Sequence, residues 1–312
     1  MGRIQLRSYY RLLIILVGLA CASILKAELR SISQNALVHY LGLSIGGGEC
    51  NNLGTTRIPV SHKVGGTAAL AFHYEMQYRT WFWGIGIEGK WQMLNNATAF
   101  TDSTWRVDVD GDSVNYQYVY NSFEERDLIA NIGIPIYVGK QFSKVYALVG
   151  LRIDIPIWAK YTFNTNMHTQ GIYSWSISPI VSDGINDFSS LGFYPAKDYT
   201  CTDTYQDQLY LTPFVELGYD FLHTENVNMR VGAYASYAIP LSVSDKLPLA
   251  DYSAIDSNPN TQNQQNMEQH IRWNSLMESD IYSQRAYKLE VGLKLTMLFN
   301  VTVKNNKCMC IK

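Results

Sequence analysis

The chain has 312 residues, of which 17% are charged and 13% aromatic, where an ordinary soluble domain carries roughly 25% charge. A hydrophobic content of 47% excludes a disordered chain. Past residue 25 nothing approaches the roughly 18 uninterrupted apolar residues of a spanning helix. The formal net charge of -2 becomes -6 without the first 27 residues, which hold four bases and no acid, and this argues against a nucleic-acid partner.

Residues 1–27 read as a secretory signal peptide. Arg3, Arg7 and Arg11 precede an apolar stretch from Leu12 to Leu25, with cleavage points after Ala22 or Ala27. An N-terminal anchor and lipidation at Cys21 are the other readings, although Gly18 stands where a lipoprotein signal would want Leu. Outside the cytoplasm a disulfide is permitted, and Cys50 with Cys201 is the candidate pair. The Cys308-Met309-Cys310 tail has no neighbouring His or acid and reads as an unstructured end (303–312), so no metal and no cofactor are expected.

Period-2 alternation marks eight strands: near 37–47, 64–78, 81–93, 126–139, 145–160, 207–221, 227–243 and from Tyr287 to Val301. In the third, Trp81, Trp83, Ile85, Ile87, Trp91 and Met93 alternate with Phe82, Gly84, Gly86, Glu88, Lys90 and Gln92. In the fifth, Val149, Leu151, Ile153, Ile155 and Ile157 face away from Gly150, Arg152, Asp154, Pro156, Trp158 and Lys160. Pro135, Pro156 and Pro240 fall inside strands and predict bulges, because each removes a ladder donor.

Alternation alone does not say which face points outward; glycine does. Gly42, Gly46, Gly84, Gly86, Gly133, Gly139, Gly150, Gly218, Gly232 and Gly292 share the polar face, against Gly47 and Gly89 on the apolar one. Small residues are wasted on a solvent-facing surface but required inside a narrow eight-stranded barrel. The polar face is therefore assigned to the interior, and the apolar face to lipid. The interior ion network is predicted as Glu75, Glu88, Asp154, Glu216, Asp220 and Glu290 against Lys90, Arg152, Lys160, Arg230, Lys288 and Lys294, six acids matched by six bases.

Loop lengths agree. Long gaps at 48–63, 94–125, 162–206 and 244–284 alternate with short ones at 79–80, 140–144 and 222–226, as in barrels with short periplasmic turns and long surface loops. The expected fold is all-β: an eight-stranded antiparallel up-and-down transmembrane β-barrel over 28–302, with both termini periplasmic. A count of ten strands follows if 103–121 forms a membrane hairpin.

The segments IGIPIYVGKQF (132–142), YALVGLRIDIPI (146–157), LTPFVELGYDF (211–221) and AYKLEVGLKLTMLF (286–299) resemble the small outer-membrane β-barrel proteins of Bacteroidota. The resemblance covers most of the chain and implies a location in the outer membrane more firmly than an activity. The last strand also looks like the signal read by the barrel-assembly machinery, with Glu290, Gly292, Leu295 and Met297 in place and Phe299 as closing aromatic. The tail beyond Asn300 departs from that pattern.

Asp108-Val109-Asp110-Gly111-Asp112-Ser113 has the wrong spacing for a calcium loop, and Asp110-Gly111 reads instead as a hairpin turn. His73 and Glu75 share one face of the second strand, with Ser44 inward on its neighbour; a hydrogen-bonded interior cluster is favoured over a catalytic pair. Trp105, Tyr116, Tyr118, Tyr120, Tyr173, Trp175, Phe193 and Tyr194 lie in the long gaps, where they suit either an extracellular glycan or protein ligand or an interfacial girdle. A helical turn around Met267 to Met277 is conceivable. The leading expectation is a non-enzymatic outer-membrane protein with a filled interior, in contact with outer-membrane lipid. A narrow porin-like pore comes second, and a membrane-embedded lipid-modifying enzyme third.

Overall fold

Strands with two unlike faces must bury one of them, and an antiparallel sheet that closes on itself does so without leaving an edge. The computed structural model describes residues 37–54, 56–107, 111–176, 178–181, 193–224, 226–241, 247–251, 272–280 and 286–302, and these contain strands and no helix. In chain order they form β1 (Leu37–Leu53), β2 (Val60–Tyr78), β3 (Trp81–Val107), β4 (Ser113–Phe142), β5 (Val145–Tyr173), β6 (Ile180–Val181), β7 (Lys197–Thr204), β8 (Tyr210–His223), β9 (Val227–Pro240), β10 (Ala250–Asp251), β11 (Arg272–Trp273) and β12 (Tyr287–Asn300).

Eight of them close a ring in the order β1-β2-β3-β4-β5-β8-β9-β12, with β12 returning antiparallel to β1. The ring is an eight-stranded up-and-down barrel, as the alternation predicts. The expected signal segment 1–27 and the expected tail 303–312 lie outside the described residues.

Around the ring the outward side chains form an apolar belt: Ile45, Leu70, Ile87, Trp91, Ile136, Leu151, Val215 and Leu293 all stand clear of the protein, Ile45 at 61% exposure and Leu293 at 65%. On β4 the belt runs from Leu128 to Val138. Ten steps of ~3.3 Å, tilted about 40°, span about 25 Å, the height of the apolar band of a transmembrane barrel. At the end with the short turns, cations sit against aromatic rings: Arg79 over Tyr78 at 5.3 Å, Lys140 over Trp81 at 5.2 Å, Lys144 over Tyr219 at 5.9 Å. Two of those turns are tight enough to put Arg79 (φ 55°) and Ser143 (φ 58°) in the left-handed region.

The other end corrects the expected loops. Residues 94–125 are not a loop: β3 and β4 continue as one hairpin out to Val107 opposite Ser113. The 103–121 stretch lengthens ring strands in place and adds none, so the count stays at eight. Likewise β5 continues to Tyr173, where β7 and then β6 flank it above the point at which β8 leaves. The turn predicted near Gly111 joins β3 to β4, with Gly111 at φ +91°, while Asp108 to Asp110 lie outside the described residues.

These extensions escaped a lipid-type reading because their faces are reversed. Above Met93, Leu128 and Trp158 the outward positions turn polar (Asn95, Arg126, Thr162), and the inward ones turn aromatic and apolar (Leu94, Tyr118, Tyr120, Phe123, Tyr161, Phe163, Met167). On β5 the reversal is built by a bulge. Ala130 pairs Trp158 and Asn131 pairs Pro156, which leaves Ile157 unpaired. Ile155, Ile157 and Trp158 face outward; beyond them Ala159, Tyr161 and Phe163 face inward. The bulge predicted at Pro156 therefore exists and switches the strand from an apolar-out to a polar-out register. Pro135 pairs Arg152 in unbroken register, and Pro240 is the last residue of β9, so neither makes a bulge.

Inside the ring, glycine provides room for large neighbours. The His73 ring lies over Gly42, Tyr137 over Gly84, and Phe82 over Gly139; a Cβ on Gly218 would stand 2.5 Å from three atoms of the Tyr146 ring. Gly218→Ala is expected to cost about 1–3 kcal/mol by overpacking, read as a lower urea midpoint in detergent. The same change at outward Gly89, whose Cβ would meet only Leu70 O at 4.0 Å, should leave the midpoint unchanged.

Candidate functional site: the filled lumen and its cap

Charges pointing into a ring this narrow must satisfy one another. At mid-barrel, Lys90 from β3 lies 3.0 Å from both Asp154 Oδ2 on β5 and Glu290 Oε1 on β12. Arg152 meets Glu88 at 2.7 Å, Asp154 at 2.7 Å and Glu290 at 3.2 Å, using a different guanidinium nitrogen for each. Thr212 donates to Asp154 at 2.8 Å and Ser236 to Glu290 at 2.9 Å. Two cations and three carboxylates from three strands are thereby tied into one buried knot.

Toward the short turns a second cluster is centred on Arg230, which binds Glu75 at 2.9 and 3.0 Å and Asp220 at 3.1 Å. Its guanidinium lies over the rings of Phe82 (4.9 Å) and Tyr146 (5.2 Å). Tyr137 donates to Glu75 at 3.1 Å, Tyr146 donates to Glu216 at 2.5 Å, and Lys294 pairs with Glu216. Nearer the long-strand end, Lys288 meets Asp207 at 2.6 Å and the Tyr210 ring at 4.2 Å.

Four sequence expectations change here. Lys160 is not in the network: the β5 bulge turns it outward, opposite Leu128. Glu125, Asp127 and Asp207 are in it, all buried; the reversed alternation hid the direction of Glu125 and Asp127, and Asp207 lies in the segment between β7 and β8, outside any strand. Among the described residues the interior thus holds nine carboxylates (Glu75, Glu88, Glu125, Asp127, Asp154, Asp207, Glu216, Asp220, Glu290) and five cations (Lys90, Arg152, Arg230, Lys288, Lys294) rather than six of each. Cys50 and Cys201 are free thiols and do not form the candidate disulfide. Cys50 is buried in the lumen, where Gln92 donates to it at 3.4 Å, while Cys201 sits on the flanking β7 opposite Phe163. Most of the supposed loop aromatics are core: Tyr118, Tyr120, Tyr173 and Phe193 are buried and Tyr116 packs against Phe193, leaving Trp105 (61%) and Trp175 (69%) exposed.

Ser44 shares hydrogen bonds with His73 Nδ1 at 3.4 Å and Thr296 at 3.0 Å, while Glu75 is held by Arg230 and not by His73. The final-strand residues divide by face. Glu290 lies inside the mid-barrel knot, whereas Leu295 and Phe299 stand on the outer surface. Of the helical turn expected near Met267 to Met277, the described part is a tight turn through Ser275 and Leu276, and Met267 itself lies outside the described residues.

The surplus acid gathers at the mouth. Glu125 and Asp127 are adjacent inward residues of β4, just above the belt, and a segment before β12 caps them. Leu276 N donates to Glu125 Oε1 and Oε2 at 3.0 and 2.9 Å, and Ser275 Oγ donates to Glu125 at 2.9 Å. Ser275 and Leu276 are fully buried there. Burial, reinforced by the neighbouring Asp127 carboxylate, holds the Glu125 carboxyl well above the ordinary range; burial likewise pushes Asp127 up to about 7. Lys288 opposes that rise and Asp207 adds to it. The pair accordingly retains a proton near neutrality.

Below the cap, the space left between the ion clusters is a polar cavity of about 50 Å³ lined by Ser44, His73, Glu75, Lys90, Arg152 and Glu290, among others. A water needs ~10–15 Å³ measured this way, so the cavity has room for a few waters. Above it the Tyr120, Phe123, Phe163, Trp273 and Leu276 side chains close the mouth.

No protein-family model matches the chain, and no curated protein matches it. Among solved structures it is similar to Ail, the attachment invasion locus protein of Yersinia pestis, crystallised with the heparin analogue sucrose octasulfate. The TM-score is 0.28 at 11% identity, over 84% of this chain and 99% of that one. A likeness that loose carries no argument, and the barrel rests on its own strand pairing.

Arg152→Met leaves Glu88, Asp154 and Glu290 with Lys90 alone and should cost about 3–5 kcal/mol. The check is the temperature at which the compact gel band of detergent-extracted protein converts to the unfolded one; adding Glu88→Gln should recover part of the loss. For the acid pair the folded-state pKa is raised, so its contribution to stability is fully present below pH ~4, the ordinary carboxylate value, and is lost as pH rises through about 7. Asp127→Asn should flatten that decline, measured as urea midpoints between pH 4 and 8.

Proposed function

We propose that the chain is an integral outer-membrane β-barrel protein with a filled interior, acting as a structural or surface-binding protein rather than as a channel or an enzyme. The observation that carries this reading is the lumen itself. Five cations and nine carboxylates are packed among aromatic rings, the residual cavity is about 50 Å³, and the mouth is closed by the 272–280 segment and an aromatic core. An ion or solute crossing it would have to break buried pairs whose separation costs several kcal/mol each.

The apolar belt and the cation–aromatic rim support the membrane placement, and the short turns at the terminal end suit a periplasmic orientation of both termini. The resemblance to small barrels of Bacteroidota, with Gly292, Leu295, Met297 and Phe299 on a strand that seals the ring against β1, fits recognition by the barrel-assembly machinery. On this reading the tall β3–β5 wall projects outside the cell. Its exposed tips, with Trp105 and Trp175, are the surfaces offered to an extracellular glycan or protein.

Purified protein reconstituted in planar bilayers is expected to give no steady conductance, together with heat-modifiable gel migration. Repeated discrete openings of uniform size would overturn the filled-barrel reading in favour of a pore.

A further inference from the structure

At the upper edge of the belt the charged outward side chains of β2, β4 and β5 are cations, and the acid in the belt-edge row, Glu49 on β1, stands beyond Gly66 and Met93. One transverse row of the sheet runs Lys63 (β2), Asn95 (β3), Arg126 (β4), Thr162 (β5), Thr202 (β7), each opposite the next in register. The row below it, at the edge of the belt, is Met93, Leu128, Lys160 and Thr204. Lys160 is there because the Pro156–Trp158 bulge turned it out of the lumen. The three cations thus occupy two adjacent rows, Lys63 and Arg126 two strands apart across Asn95 and Lys160 diagonal to Arg126, on a surface whose strands lie ~4.8 Å apart, bordered below by Trp91, Leu128, Ile157 and Trp158.

Their partners leave them available. Arg126 has an amide contact, Nε to Asn95 Oδ1 at 3.5 Å, and neither it nor Lys160 is paired with a carboxylate among the described residues. Lys63 meets Glu124 at 2.7 Å, but both side chains are more than half exposed, so an anion can compete for the lysine. The acids Glu124 and Asp198 lie one and two rows further from the belt, which confines the positive strip to the crossing itself. Beside the cations Thr162 and Thr202 hydrogen-bond each other at 3.0 Å, and Thr200 donates to Asn164 at 2.8 Å, giving a surface of hydroxyls and amides suited to sugar.

We infer that this strip binds the phosphate of a phosphorylated glycolipid in the outer leaflet: acyl chains against Trp91, Leu128, Ile157 and Trp158, phosphate on Lys63, Arg126 and Lys160, sugar hydroxyls along the threonines. The inference rests on the proposed membrane placement and gives the surface protein a defined lipid partner on one wall. A phosphate at this height is where an outer-leaflet headgroup lies, and long cationic side chains on adjacent rows can reach it without any change in the barrel.

The test uses the full-length protein in detergent, titrated with diphosphorylated lipid A, with the same glycolipid stripped of its phosphates, and with phosphatidylglycerol, reading apparent affinity by native mass spectrometry. Lys63→Gln/Arg126→Gln/Lys160→Gln should bind the diphosphorylated glycolipid roughly a hundredfold more weakly, at about fivefold per surface cation. Lys140→Gln/Lys144→Gln at the opposite rim should bind as the parent does. If the triple variant does not fold, Arg126→Gln alone should show the fivefold loss. Undiminished binding by the variant, or equal binding by the parent of the dephosphorylated glycolipid or of phosphatidylglycerol, would sink the inference. Failure of the barrel reading is separately visible, as loss of heat-modifiable migration in the parent protein.

Discussion

Arg152 is the residue on which the lumen turns. Its guanidinium holds Glu88, Asp154 and Glu290 on three different strands, and Lys90 completes the knot from the other side. An eight-stranded ring has too little internal width for a water column that could solvate those charges. Each must therefore meet an opposite charge at bonding distance, and each pairing between strands (Arg152 with Glu88 and Glu290, Lys90 with Asp154 and Glu290) fixes the height of one strand relative to another. The glycines follow from the same constraint, because Tyr137, Tyr146 and the His73 ring lie where side chains on Gly84, Gly218 and Gly42 would otherwise stand.

Above the belt the two faces of the sheet exchange. In the belt the polar face points inward; above it the apolar face does. The strands β3, β4 and β5 carry both arrangements, with lengths of 27, 30 and 29 residues against 14 in β8, β9 and β12. The lower storey is a polar lumen in an apolar sleeve. The upper storey is a conventional core in a polar sleeve, with Phe123 stacked on Phe163 at 4.9 Å and Tyr120 on Phe100 at 4.3 Å. On β5 one unpaired residue, Ile157, performs the exchange, and the same bulge that sends Tyr161 inward sends Lys160 outward to the belt edge.

The junction of the storeys is where unpaired acid accumulates. Glu125, Asp127 and Asp207 have Lys288 among them as their nearby cation, and the Leu276 backbone N–H and the Ser275 hydroxyl, both donating to Glu125, carry part of the remaining demand. A segment that closes the mouth is thereby anchored to carboxyls whose charge depends on pH near neutrality. Closure of the barrel is polar at its root, although the surface it presents to the core above is aromatic.

In the lower storey the residues announced nearly everything: period-2 alternation located the strands, and the glycine-bearing face identified the interior. Eleven of the twelve expected network residues lie inside the ring, on the face opposite the apolar belt. Residues 94–125 and 162–173 were not legible in that way, because their alternation is equally regular but carries the opposite meaning, and no residue in them states which solvent surrounds it. Glu125 and Asp127 were hidden for that reason, and Lys160 was misassigned because a bulge changes parity without changing composition. What the sequence by itself determined is a set of two-faced strands and the sign of each face in lipid. Only the tertiary structure decided how far each strand rises, where its faces exchange, and which carboxylates meet, because those depend on register across strands that lie far apart in the chain.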